Sequence, residues 1–133
     1  MTLTSRTWDQ VLTKQPVAAD GEAVRALTGF FGLSPTGKIA SAVTGLSPAS
    51  IHDLLSGKTK KSSRHAHLQV LKQVVDSVAE WRRRNGDVDQ LGEAWLMNTT
   101  LDTSAGERAA VDVLSDPVLA REALAQIRGA LSA

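Results

Sequence analysis

Residues 34–57 read SPTGKIASAVTGLSPASIHDLLSG, and this stretch decides how the chain folds. One grammar occurs in it twice: serine then proline, an apolar stripe at helical spacing, then glycine. Ser34 predicts an N-cap with Pro35 in the first turn, where a missing N–H costs nothing, and Ile39, Ala40 and Val43 supply the stripe before Gly45. Ser47 and Pro48 open a second helix, in which Ile51, Leu54 and Leu55 face inward and Gly57 closes the C-terminus. Two helices of two or three turns, joined by a short turn containing glycine, form a helix-turn-helix unit. Ala40 and Ser41 are small enough for the pair to cross closely, and Gly45 can take the positive φ of the turn. Ile51 fills the angle between the helices.

Outward from this unit the periodicity is again helical. KTKKSSRH follows Gly57 and is too polar and basic for core. From about Arg64 to Arg84, however, Leu68, Leu71, Val74, Val75, Val78 and Trp81 recur at threes and fours, which predicts one long scaffold helix. Upstream, Asp20 is placed to cap a helix carrying Ala23, Leu27, Phe30 and Phe31 that Gly32 ends, and Trp8, Val11 and Leu12 suggest a short helix stopped by Pro16. Downstream, Asn85 and Gly86 break the scaffold helix, and Asp87 can cap another with Val88, Leu91, Ala94, Trp95 and Leu96. The polar interval NTTLDTSAGE then precedes a last pair near 108–114 and 118–131, the latter entered through Asp116 and Pro117. Strand signals are missing, with no Tyr, two Phe and no sustained period-two pattern. The expected fold is all-α, in three parts: N-terminal helices over 1–33, the helix-turn-helix and scaffold helix over 34–85, and a small C-terminal helical module over 86–133.

Composition narrows the chemistry. At 133 residues, 42% of them apolar, the chain makes one ordinary domain or two very small ones. It has no cysteine, which removes thiolate chemistry and disulfides and fits a reducing cytoplasm. No apolar run approaches a membrane span, and the start MTLTSRTWDQ lacks the pattern of a signal peptide, so a soluble, cytoplasmic protein is expected. Neither a phosphate-binding glycine loop nor G-x-S-x-G occurs, and the carboxylates are scattered. His52, His65 and His67 lack a fourth ligand, and solvent or phosphate contact is the plainer use for them. An enzyme, a metal centre and a cofactor are therefore not expected.

The net charge of +1 conceals a division. Residues 1–56 balance; residues 57–84 carry +6; residues 85–133 carry −5. The basic middle is a candidate polyanion surface, and it begins where the second helix of the pair ends. Double-stranded DNA is the expected partner: Ser47, Ala49, Ser50, His52 and Asp53 stand on the exposed side of that helix, and Lys58, Lys60, Lys61 and Arg64 follow to meet phosphates. This helix holds no Arg, Gln or Asn, so base reading by one copy is weak and a homodimer is expected. The plainer alternative is a helical hairpin that serves only packing.

SPASIHDLLSG, the basic connection, the long helix HLQVLKQVVDSVAEW, then EAWLMNTTLD and VLSDPVLAREALAQI together resemble the Xre/MbcA/ParS type of antitoxin, over about residues 22–131. Trp95, Leu96, Met97 and Leu101 match that family's pattern, whereas Asn98 to Thr100 stands in place of its Pro-Asn and Gly106 to Ala109 in place of its second proline. The resemblance implies a homodimer that represses its own operon and blocks a protein toxin, often one with a RES domain that consumes NAD. Trp95, Met97, Leu101, Leu124, Ile127 and Leu131 would then form the partner-binding surface. A temperate-phage immunity repressor, or another small regulator without a toxin, is the alternative.

Overall fold

Helix α1 (Asp20–Phe31) turns Ala23, Val24, Leu27 and Phe31 inward, and each is at most 1% exposed. It packs along α4 (His65–Arg84), whose Leu68, Leu71, Val74 and Val75 make the opposing stripe. The computed structural model describes residues 19–86 and 91–132. The expected helix on Trp8, Val11 and Leu12 lies outside these residues, as do Asp87 and Val88.

Between α1 and α4 run α2 (Lys38–Thr44) and α3 (Pro48–Leu55). The repeated Ser-Pro grammar has two outcomes. Before α3 it works as expected: Pro48 is in the first turn, and the Ser47 hydroxyl accepts from the Ser50 N–H at 3.2 Å. Before α2 it does not, because the Gly37 N–H closes a turn onto the Ser34 carbonyl at 2.9 Å and Ser34 Oγ pairs with Thr36 Oγ1 at 3.3 Å. The helix therefore begins at Lys38, with Gly37 in the cap position. Gly45 ends α2 at φ 73°, and Ile51 of α3 is fully buried in the core, α3 packing against α1.

Beyond α4 come α5 (Glu93–Asn98), a hairpin of β1 (Thr100–Thr103) and β2 (Gly106–Ala109), then α6 (Ala110–Ser115) and α7 (Pro117–Ser132). A mostly helical fold is as expected, but the polar interval is an antiparallel hairpin in the register Thr100↔Ala109 to Thr103↔Gly106. The last helical pair accordingly starts at Ala110, where the sequence suggested 108. Cross-strand polar groups compensate for the hairpin's small apolar area: Thr100 Oγ1 donates to Glu107 at 2.7 Å, and the Ser104 N–H and hydroxyl both donate to the Glu122 carboxylate of α7 at 2.7 Å. Helix α5 is shorter than expected and starts after Gly92 without a side-chain cap. Asp116 does cap α7, accepting from Val118 N–H at 2.8 Å.

One core joins all these elements. Leu96, Ala110, Leu114 and Leu124 lie in the same cluster as Leu27, Val43 and Leu71, with α6 against α2 and α7 against α4. Trp95 stacks on Phe31 at 5.9 Å between ring centroids. The described residues after Gly86 thus share a hydrophobic cluster with those before it.

Candidate nucleic-acid interface

The exposed side of α3 consists of Pro48, Ala49, Ser50 and His52, with Asp53 half-buried behind them and Ser47 exposed at the cap. Ser47 Oγ also donates to Ser50 Oγ at 3.0 Å, which leaves Ser50 its own hydroxyl proton to offer outward. Asp53 holds the next segment through its backbone, its carbonyl accepting from the Thr59 N–H at 3.0 Å and the Ser56 hydroxyl at 3.2 Å. Opposite, α1 meets α3 at very short range: Arg25 donates to the Leu55 carbonyl at 2.9 Å, and a Cβ on Gly21 would stand 2.6 Å from the Leu54 carbonyl oxygen. Only glycine admits this approach.

Lys58, Lys60, Lys61 and Arg64 are all exposed, and among the described residues none of them forms an ion pair. Arg64 folds back over the helix-turn-helix turn, its guanidinium so close to Gly45 that a Cβ there would lie 2.9 Å from it. The other cations of the 57–84 segment are elsewhere. Lys72 pairs with Asp76 at 2.5 Å, and Arg83 and Arg84 both pair with Glu80 at the far end of α4. Twenty residues of helix place about 30 Å between the two ends, so the +6 segment makes two separate patches. Only the first adjoins α3.

Two side chains assigned to solvent or phosphate are held by the protein's own acceptors instead, His67 buried and His65 partly buried. His67 is 5% exposed and its Nε2 donates to the Val43 carbonyl at 2.9 Å, and its buried Nδ1 has no partner among the described residues. His65 Nδ1 donates to Asp20 at 2.5 Å. Asp20 itself does not cap α1, for Ala19 occupies the cap position; Asp20 is the first helical residue and 0% exposed. His52 alone of the three is exposed.

At the other end of α4, Val78, Trp81, Trp95, Leu101, Ile127 and Ala130 line an apolar groove of about 300 Å³. Trp95, Leu101 and Ile127 of the expected partner surface are brought together here. Met97 is 49% exposed outside this lining, Leu124 is buried in the core, and Leu131 is half-buried with its carbonyl accepting from Arg84 at 2.8 Å. Trp81, the last member of the scaffold helix's apolar stripe, is 46% exposed at the groove. The sequence signal for that was present: Trp81 is flanked by Glu80 and three arginines, where the apolar stripe of α4 runs out. No family model matches this chain, and no curated protein or solved structure does so either.

Proposed function

We propose that this protein is a transcriptional regulator that binds duplex DNA as a homodimer, with α3 in the major groove and the loop after it on the phosphates. One observation carries the reading: a helix with a capped, solvent-facing start is followed at its other end by four exposed cations that have no ion-pair partner among the described residues. Cations already paired to carboxylates would gain little on meeting phosphate, whereas these release counterions from the nucleic acid. Ser50, His52 and Asp53 are the available base readers, Asp53 as an acceptor for a cytosine amino group. Such a weak set favours two copies on half-sites about one helical turn apart.

The apolar groove favours a second role at the opposite end of α4: antitoxin of a toxin–antitoxin pair, with a RES-type toxin as the protein bound. Exposed Trp81 beside a concave apolar surface is the composition of an interface anchor. A toxin gene next to this one, whose product co-purifies with the chain, distinguishes this role from that of a phage-type repressor with no such neighbour.

The DNA reading is tested by replacing Lys58, Lys60 and Lys61 with Ala and measuring affinity for duplex DNA from about 50 to 200 mM salt. The slope of log affinity against log salt is expected to fall by about 0.9 for each phosphate that is no longer neutralised. An unchanged slope overturns the placement.

A further inference from the structure

We propose that Asp20 is the positioning residue of the cationic loop, acting from the start of α1 to hold Lys58, Lys60 and Lys61 in the geometry that meets phosphate. This rests on the DNA-binding reading. The loop leaves α3 at Ser56 and reaches α4 at Arg64, and two backbone bonds pin it. Near its start the Thr59 N–H donates to the Asp53 carbonyl. Near its end the Ser62 N–H donates to Asp20 Oδ2 at 2.6 Å, across 42 residues of sequence.

The carboxylate is saturated by donors from the loop and from α4. Its other oxygen accepts from His65 Nδ1 at 2.5 Å and from Gln69 Nε2 at 3.3 Å. The first residue of α1 therefore binds the loop end and the first two turns of α4 together. Burying a charged group is costly unless such bonds compensate it, so a fully buried carboxylate in this place indicates a geometric demand. It does not neutralise the lysines, since none of them pairs with it.

The pin is relayed onward. Ser62 Oγ accepts from the Arg64 N–H at 3.0 Å, and the Arg64 guanidinium lies over Gly45 in the helix-turn-helix turn. A loop released from Asp20 keeps its charges but must be ordered on binding, and that ordering cost is subtracted from affinity.

The test compares four proteins: wild type, Asp20→Asn, the Lys58/Lys60/Lys61→Ala triple variant, and the two combined. Asn keeps the shape of Asp but presents an NH2 where one oxygen accepted. In folded Asp20→Asn the Ser62 amide is expected to lose its protection from hydrogen exchange, and affinity for a mixed-sequence duplex to fall about tenfold at a nearly unchanged salt slope. In the triple-Ala background the same change should alter affinity less than about twofold, because Asp20 acts through those lysines. An equal loss in both backgrounds reveals a merely structural residue and overturns the proposal, as does a Ser62 amide that stays protected in Asp20→Asn. If wild type binds no DNA, the functional reading fails and the positioning role with it, while Ser62 exchange still reports whether the pin exists; the two failures are thus told apart. Should Asp20→Asn not fold, Ser62→Pro removes the donor without touching α1 and is read by affinity alone in the two lysine backgrounds, an equal loss in both again overturning the proposal.

Discussion

Two glycines of α1 should respond in opposite ways to the same substitution. Alanine at Gly29 meets nothing within 4 Å, so it gains only the helix propensity that glycine lacks, about 0.5–1 kcal/mol. Alanine at Gly21 makes the same gain but sets its Cβ 2.6 Å from the Leu54 carbonyl oxygen, well inside van der Waals contact. That oxygen cannot swing away as a side chain would, since it belongs to the last turn of α3 and also accepts from the Gly57 N–H at 3.3 Å. Overpacking of this kind costs about 1–3 kcal/mol, which leaves Gly21→Ala about 0–2.5 kcal/mol less stable than wild type after a propensity gain of about 0.5–1 kcal/mol. Urea denaturation followed by circular dichroism measures both variants against wild type. Gly29→Ala should shift the midpoint up and Gly21→Ala down at unchanged m. If Gly21→Ala proves as stable as Gly29→Ala, the close crossing of α1 over the end of α3 is wrong.

Two further outcomes follow from local geometry. Ser47→Ala should cost about 1 kcal/mol because it removes the cap of α3, whereas Ser34→Ala should cost almost nothing, Ser34 capping no helix; denaturation midpoints decide between equal and unequal effects. Glu122→Ala leaves the Ser104 N–H and hydroxyl without their acceptor, and should raise amide exchange through 100–109 while the amides of α1 and α4 keep their protection. Uniform exchange across both regions would contradict a hairpin fastened by that one carboxylate.

What the sequence could reveal depended on how far apart the deciding groups lie. Ser47-Pro48 is legible because its cap closes within three residues, and the stripe of α4 because it repeats over five turns. Ser34-Pro35 misleads because a competing turn, closed by Gly37 and favoured by the nearby Thr36 hydroxyl, is equally local, and propensity cannot rank the two. The hairpin escapes notice because its four-residue strands only just fill a period-two window and carry few apolar residues, and part of its support comes from Glu122 on another helix. Of the candidate interface, the exposed face of α3 and the cations are readable from spacing and charge. The hub at Asp20 is not, since its partners lie 42, 45 and 49 residues away.

The shared core has a consequence for how such a chain can be recombined. Phe31 keeps its ring against Trp95, α2 rests on α6 and α4 on α7, so the residues after Gly86 are structural neighbours of the helix-turn-helix itself. Cutting there would uncover Phe31, Val43 and Leu71 together and forfeit the burial of Leu96, Ala110, Leu114 and Leu124. The two halves cannot be exchanged between proteins like beads on a string. Changes to the groove's surface would have to arrive by substitution, inside a fold inherited whole.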